Sequence, residues 1–225
     1  MTPLRLVHVL QLTDSFFPVG AFAYSDGLET AAANGTVHNG DSLKVWLEHF
    51  LESVFVPCDG LALRRCAEAF KRGDMTTIHA IDEELTAIKP ASAVRNASRS
   101  IGKRLLTAYA EISGDSEFAK IAVGLVHHNA PVAYAVVMTH RGIESHDALL
   151  AFGYSRLAGM VSSGLRLISL GQQQAQIILS ETLERLPSAV DCIVAMEDEP
   201  LQSFAPMMDI AQMNHRYVYS RLFRS

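Results

Sequence analysis

The 225 residues are 49% hydrophobic and 19% charged, with a formal net charge of −5; a chain of this length can bury one large core, and its apolar excess points to surface covered by a partner. The negative balance and the lack of a long basic run argue against a nucleic-acid binder, which needs clustered cations to face phosphates. Three cysteines, Cys58, Cys66 and Cys192, are an odd number in a chain that needs no staples, and they fit a reducing, cytoplasmic setting.

The segment MTPLRLVHVLQLTD lacks an apolar run ending in a small-residue cleavage site, so no signal peptide is expected. Leu4, Val7, Leu10 and Leu12 sketch a first short helix. It runs into LTDSFFPVGAFAYSDGLE, residues 12–29, a stretch too apolar for an ordinary surface loop. Pro18 fixes its own φ and pushes Phe17 toward extended backbone, while Gly20 permits angles closed to other residues, so a rigid, shaped connection is expected. Asp26 and Glu29 form a variant capping box for a following helix, and Asn34-Gly35 supplies its stop.

With Asp41 as N-cap, the recurrence of Leu43, Trp46, Leu47, Phe50, Leu51 and Val54 predicts an amphipathic helix. Pro57 suits the first turn of the next, whose stripe is Leu61, Leu63, Cys66, Ala67 and Phe70. Asp74 caps a helix to about Lys89, and Pro90 separates it from a longer one reaching Ile112. On that longer helix Arg95, Arg99 and Lys103 form a self-repelling row at i, i+4, i+8. Either Asp82, Glu83 and Glu84 of the preceding helix, solvent, or an acidic partner surface answers it.

A short helical pattern over 117–126 ends in His127-His128-Asn129, and Pro131 opens another to about Thr139. The region 147–170, rich in Ala, Ser and Gly, reads as the central helix. Two greasy regions, 118–140 and 148–170, are interrupted by polar residues and Pro131 or by Arg156 and Arg166, so both read as buried helices and no membrane contact is expected. After Gly171 a helix continues to Arg185, Pro187 opens a short one to Met196, Glu197 to Pro200 is an acidic linker, and Pro206 starts a last helix before the tail VYSRLFRS. No segment alternates as a strand would. The expected fold is all-α, a single-domain bundle of about ten helices over residues 1–225, with 218–225 as a partner-binding tail.

Chemistry is sparse. Gly102-Lys103 is followed by Arg104, so the phosphate-cradling loop GxxxxGK[ST] is missing and GTP binding is not expected. Ala23-Tyr24-Ser25-Asp26-Gly27 imitates a nucleophile elbow, which would need a preceding strand; a helical hydrolase using Ser25 is the enzymatic alternative. His127, His128, His140 and His146 could serve a metal enzyme, yet none of these pairs has the i, i+4 spacing of a shared helix face. No catalytic residue, metal ligand or cofactor is assigned. The informative features are the opening stretch and the tail, where Tyr217, Tyr219, Arg221, Phe223 and Arg224 combine the residue types that dominate binding hot spots.

LQLTDSFFPVGAFAYSDGLE, read with the ending YSRLFRS, resembles the UreF family of urease accessory proteins. The matching positions are Asp14, Phe17, Pro18, Gly20, Phe22, Ser25, Gly27, Leu28 and Glu29, then Tyr219, Ser220, Arg221, Leu222 and Ser225. The resemblance implies an all-helical homodimer without enzymatic activity. It implies an adaptor between a UreD/UreH-like accessory protein and a UreG-like GTPase, in a complex that delivers nickel to apo-urease, nickel being cargo. The expected partner-binding residues are Phe17, Pro18, Gly20, Phe22, Tyr24, Ser25, Glu29, Tyr219, Arg221, Phe223 and Arg224. An unrelated helical scaffold is the remaining alternative.

Overall fold

Polar side chains placed just before apolar stripes decide where several helices begin. The computed structural model describes residues 2–197 and 199–224; Met1, Asp198 and Ser225 lie outside the described residues. Thr2 caps α1 (Pro3–Thr13), Asn39 caps α3 (Gly40–Phe50), Asp74 caps α5 (Met75–Ile88) and Asp115 caps α7 (Ser116–Gly124), each accepting from a backbone N–H in the first turn. Proline in the first turn opens α8 (Ala130–His140), α11 (Leu186–Ala195) and α12 (Pro206–Asn214), where its missing N–H costs nothing. The others are α2 (Leu28–Ala33), α4 (Leu61–Lys71), α6 (Ser92–Ser113), α9 (Ser145–Leu167) and α10 (Gln172–Leu183). No strand occurs among the described residues, so the expected all-α architecture holds. Among those residues no helix is long and apolar enough to cross a membrane.

Two expected boundaries move around α3 and α4. Asn39, not Asp41, caps α3: its Oδ1 accepts from Ser42 N at 2.9 Å while Ser42 Oγ accepts from Asn39 N at 3.1 Å, a reciprocal box that Asp41 cannot make from inside the first turn. Pro57 does not open a new helix. A wide π-helical segment over Leu51–Gly60 carries α3 directly into α4, with Pro57 inside it. Phe50, Leu51, Phe55, Cys58 and Leu61 stay buried along this run, so continuity keeps one apolar face in the core.

The centre belongs to α8 and α9. Residues 130–138 of α8 are all buried, and the helix lies between α4 and α6; apolar on every side, it has no solvent face to show. The longer α9 packs against α1, α2, α3, α4, α8, α10 and α11, in keeping with its reading as the central helix. Its small residues let neighbours close in, for the Leu186 and Phe55 side chains fill the space a Cβ at Gly153 would take. Phe50, Phe55, Phe152 and Tyr134 form a chain of ring contacts with centroids 4.9–6.3 Å apart.

Candidate protein-docking site

The opening stretch is shaped mainly by its own backbone. Asp14 accepts from Phe16 N through Oδ1 (2.6 Å) and from Phe17 N through its carbonyl (3.0 Å), closing a tight turn at the end of α1. That turn sends Phe17 into the core and leaves Phe16 94% exposed, with Pro18 beside it on the surface. Gly20 adopts φ +69°, which favours glycine, and the Arg104 guanidinium lies where its Cβ would stand. A short 3₁₀ turn, Ala21–Ala23, then exposes Phe22 and leaves Tyr24 half-buried.

Beyond Tyr24 the chain turns inward. Ser25 is fully buried and accepts from Glu29 N through Oγ at 3.4 Å. Asp26 holds Arg156 Nη2 at 2.8 Å, both side chains being largely buried. Burial alone would weaken the Arg156 charge, but the Asp26 and Asp59 carboxylates outweigh it and raise its pKa. The expected box between Asp26 and Glu29 is therefore not what starts α2, since Gly27 is the N-cap and both carboxylates serve distant partners.

Glu29 is the hub. His215 Nε2 lies 2.6 Å from its Oε2, Leu222 N donates to its Oε1 at 2.5 Å, and Phe223 N donates to its Oε2 at 3.3 Å. Arg224 N adds a bond to the Ala23 carbonyl at 2.8 Å, while Phe223 is buried under the Arg166 guanidinium, 4.7 Å from its ring centroid. The tail thus packs on its own chain, against the opening stretch.

The sequence-assigned residues divide by direction. Phe17, Ser25, Glu29 and Phe223 are buried, the last three at the junction, Gly20 and Tyr24 are half-buried, and Pro18, Phe22, Tyr219, Arg221 and Arg224 face solvent. Tyr219 is wholly exposed. Ser225 lies outside the described residues. Phe16 was missed, although its place beside Phe17 before a proline was legible; a turn has to send one of two adjacent rings outward. His215, Arg156 and Arg166 were missed because each is far in sequence from what it holds. Two grooves flank the exposed part. One of about 450 Å³ runs between Leu10, Phe22 and Tyr154, and one of about 460 Å³ between Val7, Leu10, Phe16, Pro18 and Ile112. Both are framed by exposed apolar side chains of α1 and the opening stretch.

The enzymatic alternatives find little geometry. Ser25 follows a 3₁₀ turn instead of a strand and is sealed from solvent. His127 and His128 sit in the turn before α8, His140 lies between Tyr109 Oη (2.9 Å) and Asp115 Oδ2 (3.2 Å), and His146 is on α9 near Asp147 and Asp191. Among the described residues no three His, Cys, Asp or Glu side chains are grouped to hold a metal ion. Cys58 and Cys66 are buried core thiols; burial pushes the Cys58 pKa up to about 12 and that of Cys66 upward as well, the opposite of the shift that activates a nucleophilic cysteine.

Comparison with known proteins bears out the family resemblance. Residues 37–183 match the UreF family model. The urease accessory protein UreF of Methylobacillus flagellatus is 33% identical over 98% of this chain and 97% of its own length. The UreF of Lachnoclostridium phytofermentans is 32% identical and that of Microcystis aeruginosa 33%, each over 98% of both chains. With the helical fold, both end motifs and near full-length similarity in agreement, the chain belongs to the UreF family of urease accessory proteins.

Proposed function

We propose that this chain acts in urease maturation as a non-catalytic adaptor and regulator. In this reading it works as a cytoplasmic homodimer, joining a UreD/UreH-like accessory protein to a UreG-like GTPase in the complex that supports GTP-dependent nickel insertion into apo-urease. Nickel passes to urease as cargo, and no side chain of this chain is assigned to hold it. The observation that carries the reading is the junction at Glu29: the two segments with family motifs, at opposite ends of the chain, meet on one buried carboxylate and present Pro18, Phe22, Tyr219, Arg221 and Arg224 outward. Exposed aromatic and arginine side chains beside apolar grooves suit hot-spot contact with a protein.

The test is co-expression of the chain with the urease structural and accessory proteins, followed by affinity capture and urease assay. Phe22→Ala, Tyr219→Ala and Arg221→Ala remove only solvent-facing side chains, so helical content should be unchanged while capture and urease activation fall. Wild-type levels of both in the triple variant would refute the docking assignment.

A further inference from the structure

Among the described residues no carboxylate pairs with the basic row on α6. Asp82, the nearest acidic candidate from sequence, is buried and turned the other way. It accepts from the backbone N–H groups of His127, His128 and Asn129 at 2.9–3.0 Å and from Asn129 Nδ2 at 2.8 Å. Glu83 and Glu84 are exposed, and among the described residues no ion pair joins either of them to α6. Arg95 donates to the Lys89 and Pro90 carbonyls (2.6 and 2.9 Å), which places its charge at the C-terminal end of the α5 dipole. Arg99 donates through Nε to the His127 carbonyl at 3.2 Å. Arg99, Lys103 and Arg104 are exposed, and no carboxylate pairs with them among the described residues.

This ridge is also rigid. Gly102 packs so closely on the His128 carbonyl that a Cβ there would overlap it, and Ser98 Oγ accepts from Ala130 N at 3.0 Å. The 127–129 turn that supports α6 is itself fixed by Asp82. Side chains held on a firm helix lose less entropy on docking than mobile ones. The chain carries no acidic residue between Ser92 and Ala110, and Arg104 lies against Gly20, so the ridge adjoins the opening stretch described above.

We propose that Arg99, Lys103 and Arg104, with Arg95 behind them, dock a carboxylate-rich helix of a protein partner. A row repeating once per helical turn, about 5.4 Å apart, is complementary to Glu or Asp side chains at the same interval on an opposing helix. A long polyanion fits less well, because the chain's net charge of −5 repels phosphates beyond the ridge while a local carboxylate cluster meets only its cations. The partner's origin rests on the maturation reading above, and its charge does not.

The variant is Lys103→Glu with Arg104→Glu, neither side chain having an ion pair to lose among the described residues; circular dichroism should match wild type. In the first arm the chain is co-expressed with the urease accessory proteins. Assembly should weaken by about tenfold or more in the variant, and wild-type assembly should weaken as salt is raised. Equal, salt-insensitive assembly by both forms overturns the proposal. In the second arm a synthetic helical peptide with Glu at i, i+4 and i+8 and a DNA duplex of equal length are titrated into each form. Tighter binding of the peptide, lost in the variant, supports the ridge as a carboxylate site; duplex binding that exceeds it, or peptide binding indifferent to the reversal, overturns it. If wild type fails to assemble with the accessory proteins yet the peptide arm holds, the maturation reading is what fails.

Discussion

His215 Nε2 and Glu29 Oε2 stand 2.6 Å apart with both side chains at least 95% buried, joining residues at opposite ends of the chain. A carboxylate accepts only, so with Glu29 ionised the imidazole presents its Nε2 proton to it, and the same carboxylate receives two backbone N–H groups of the tail. One side chain therefore ties His215, Leu222 and Phe223 to the start of α2.

Glu29→Ala takes the acceptor from three donors at once, and at about 1–3 kcal/mol for each buried donor left unsatisfied, reduced where water enters, it should cost about 3 kcal/mol or more. It should also release the tail without unfolding the bundle. Limited trypsin digestion would show it, with cleavage after Arg216 and Arg221 much faster than in wild type while the core fragment persists. Glu29→Gln keeps an acceptor for one donor and should lie between the two.

Arg156 is the second long-range tie of the opening stretch, and it crosses from α9 to Asp26 while lying 5.4 Å from the Phe50 ring centroid. Removing Arg156 leaves Asp26 largely buried and unpaired, so Arg156→Ala should destabilise by about 3 kcal/mol in urea denaturation. Replacing both residues with apolar ones of similar size should recover part of that loss, because no isolated charge then remains inside.

Asp82→Ala strips three backbone N–H groups of their acceptor, while the Asn129 side-chain amide keeps the Asp82 carbonyl and Thr86 Oγ1. At about 1–3 kcal/mol for each unsatisfied donor, reduced where water can enter, the loss should reach about 3 kcal/mol or more. Hydrogen exchange at His127, His128 and Asn129 should accelerate, which separates this local effect from global weakening.

The pH dependence follows from His128 and Asp115. Burial, with Lys103 and Arg99 nearby, lowers the His128 pKa against the opposing pull of Asp82. The unfolded chain then takes up the proton first, so stability is intact above about pH 6.5 and declines as pH falls through the folded pKa. His128→Asn should flatten that decline, since Asn tolerates the residue's φ of +59° better than most. The Asp115 pKa is lowered by the Phe118 and Glu117 N–H groups and by His140. Its contribution is present above the unfolded carboxylate range and disappears as pH drops below it. Thermal melts from pH 7 to pH 3 on His128→Asn and on Asp115→Asn would separate these steps.

By itself the sequence determined the helical character of the chain, most helix limits from caps and prolines, and its membership of the family. Those are local properties, set by apolar periodicity and by side chains bonding a few residues away. The tertiary structure decided what the charged groups do. Asp26 and Glu29 look like one capping box in sequence, yet one holds Arg156 and the other holds His215 and the tail, because a buried carboxylate must be satisfied by whatever donors the fold brings to it. The same rule turned Asp82 from the basic row to the 127–129 turn and left the α6 cations facing outward. Only packing could show which aromatic residues of the opening stretch anchor it and which are displayed, since Phe16 and Phe17 are adjacent and alike, and a single turn at Asp14 sends one into solvent and the other into the core.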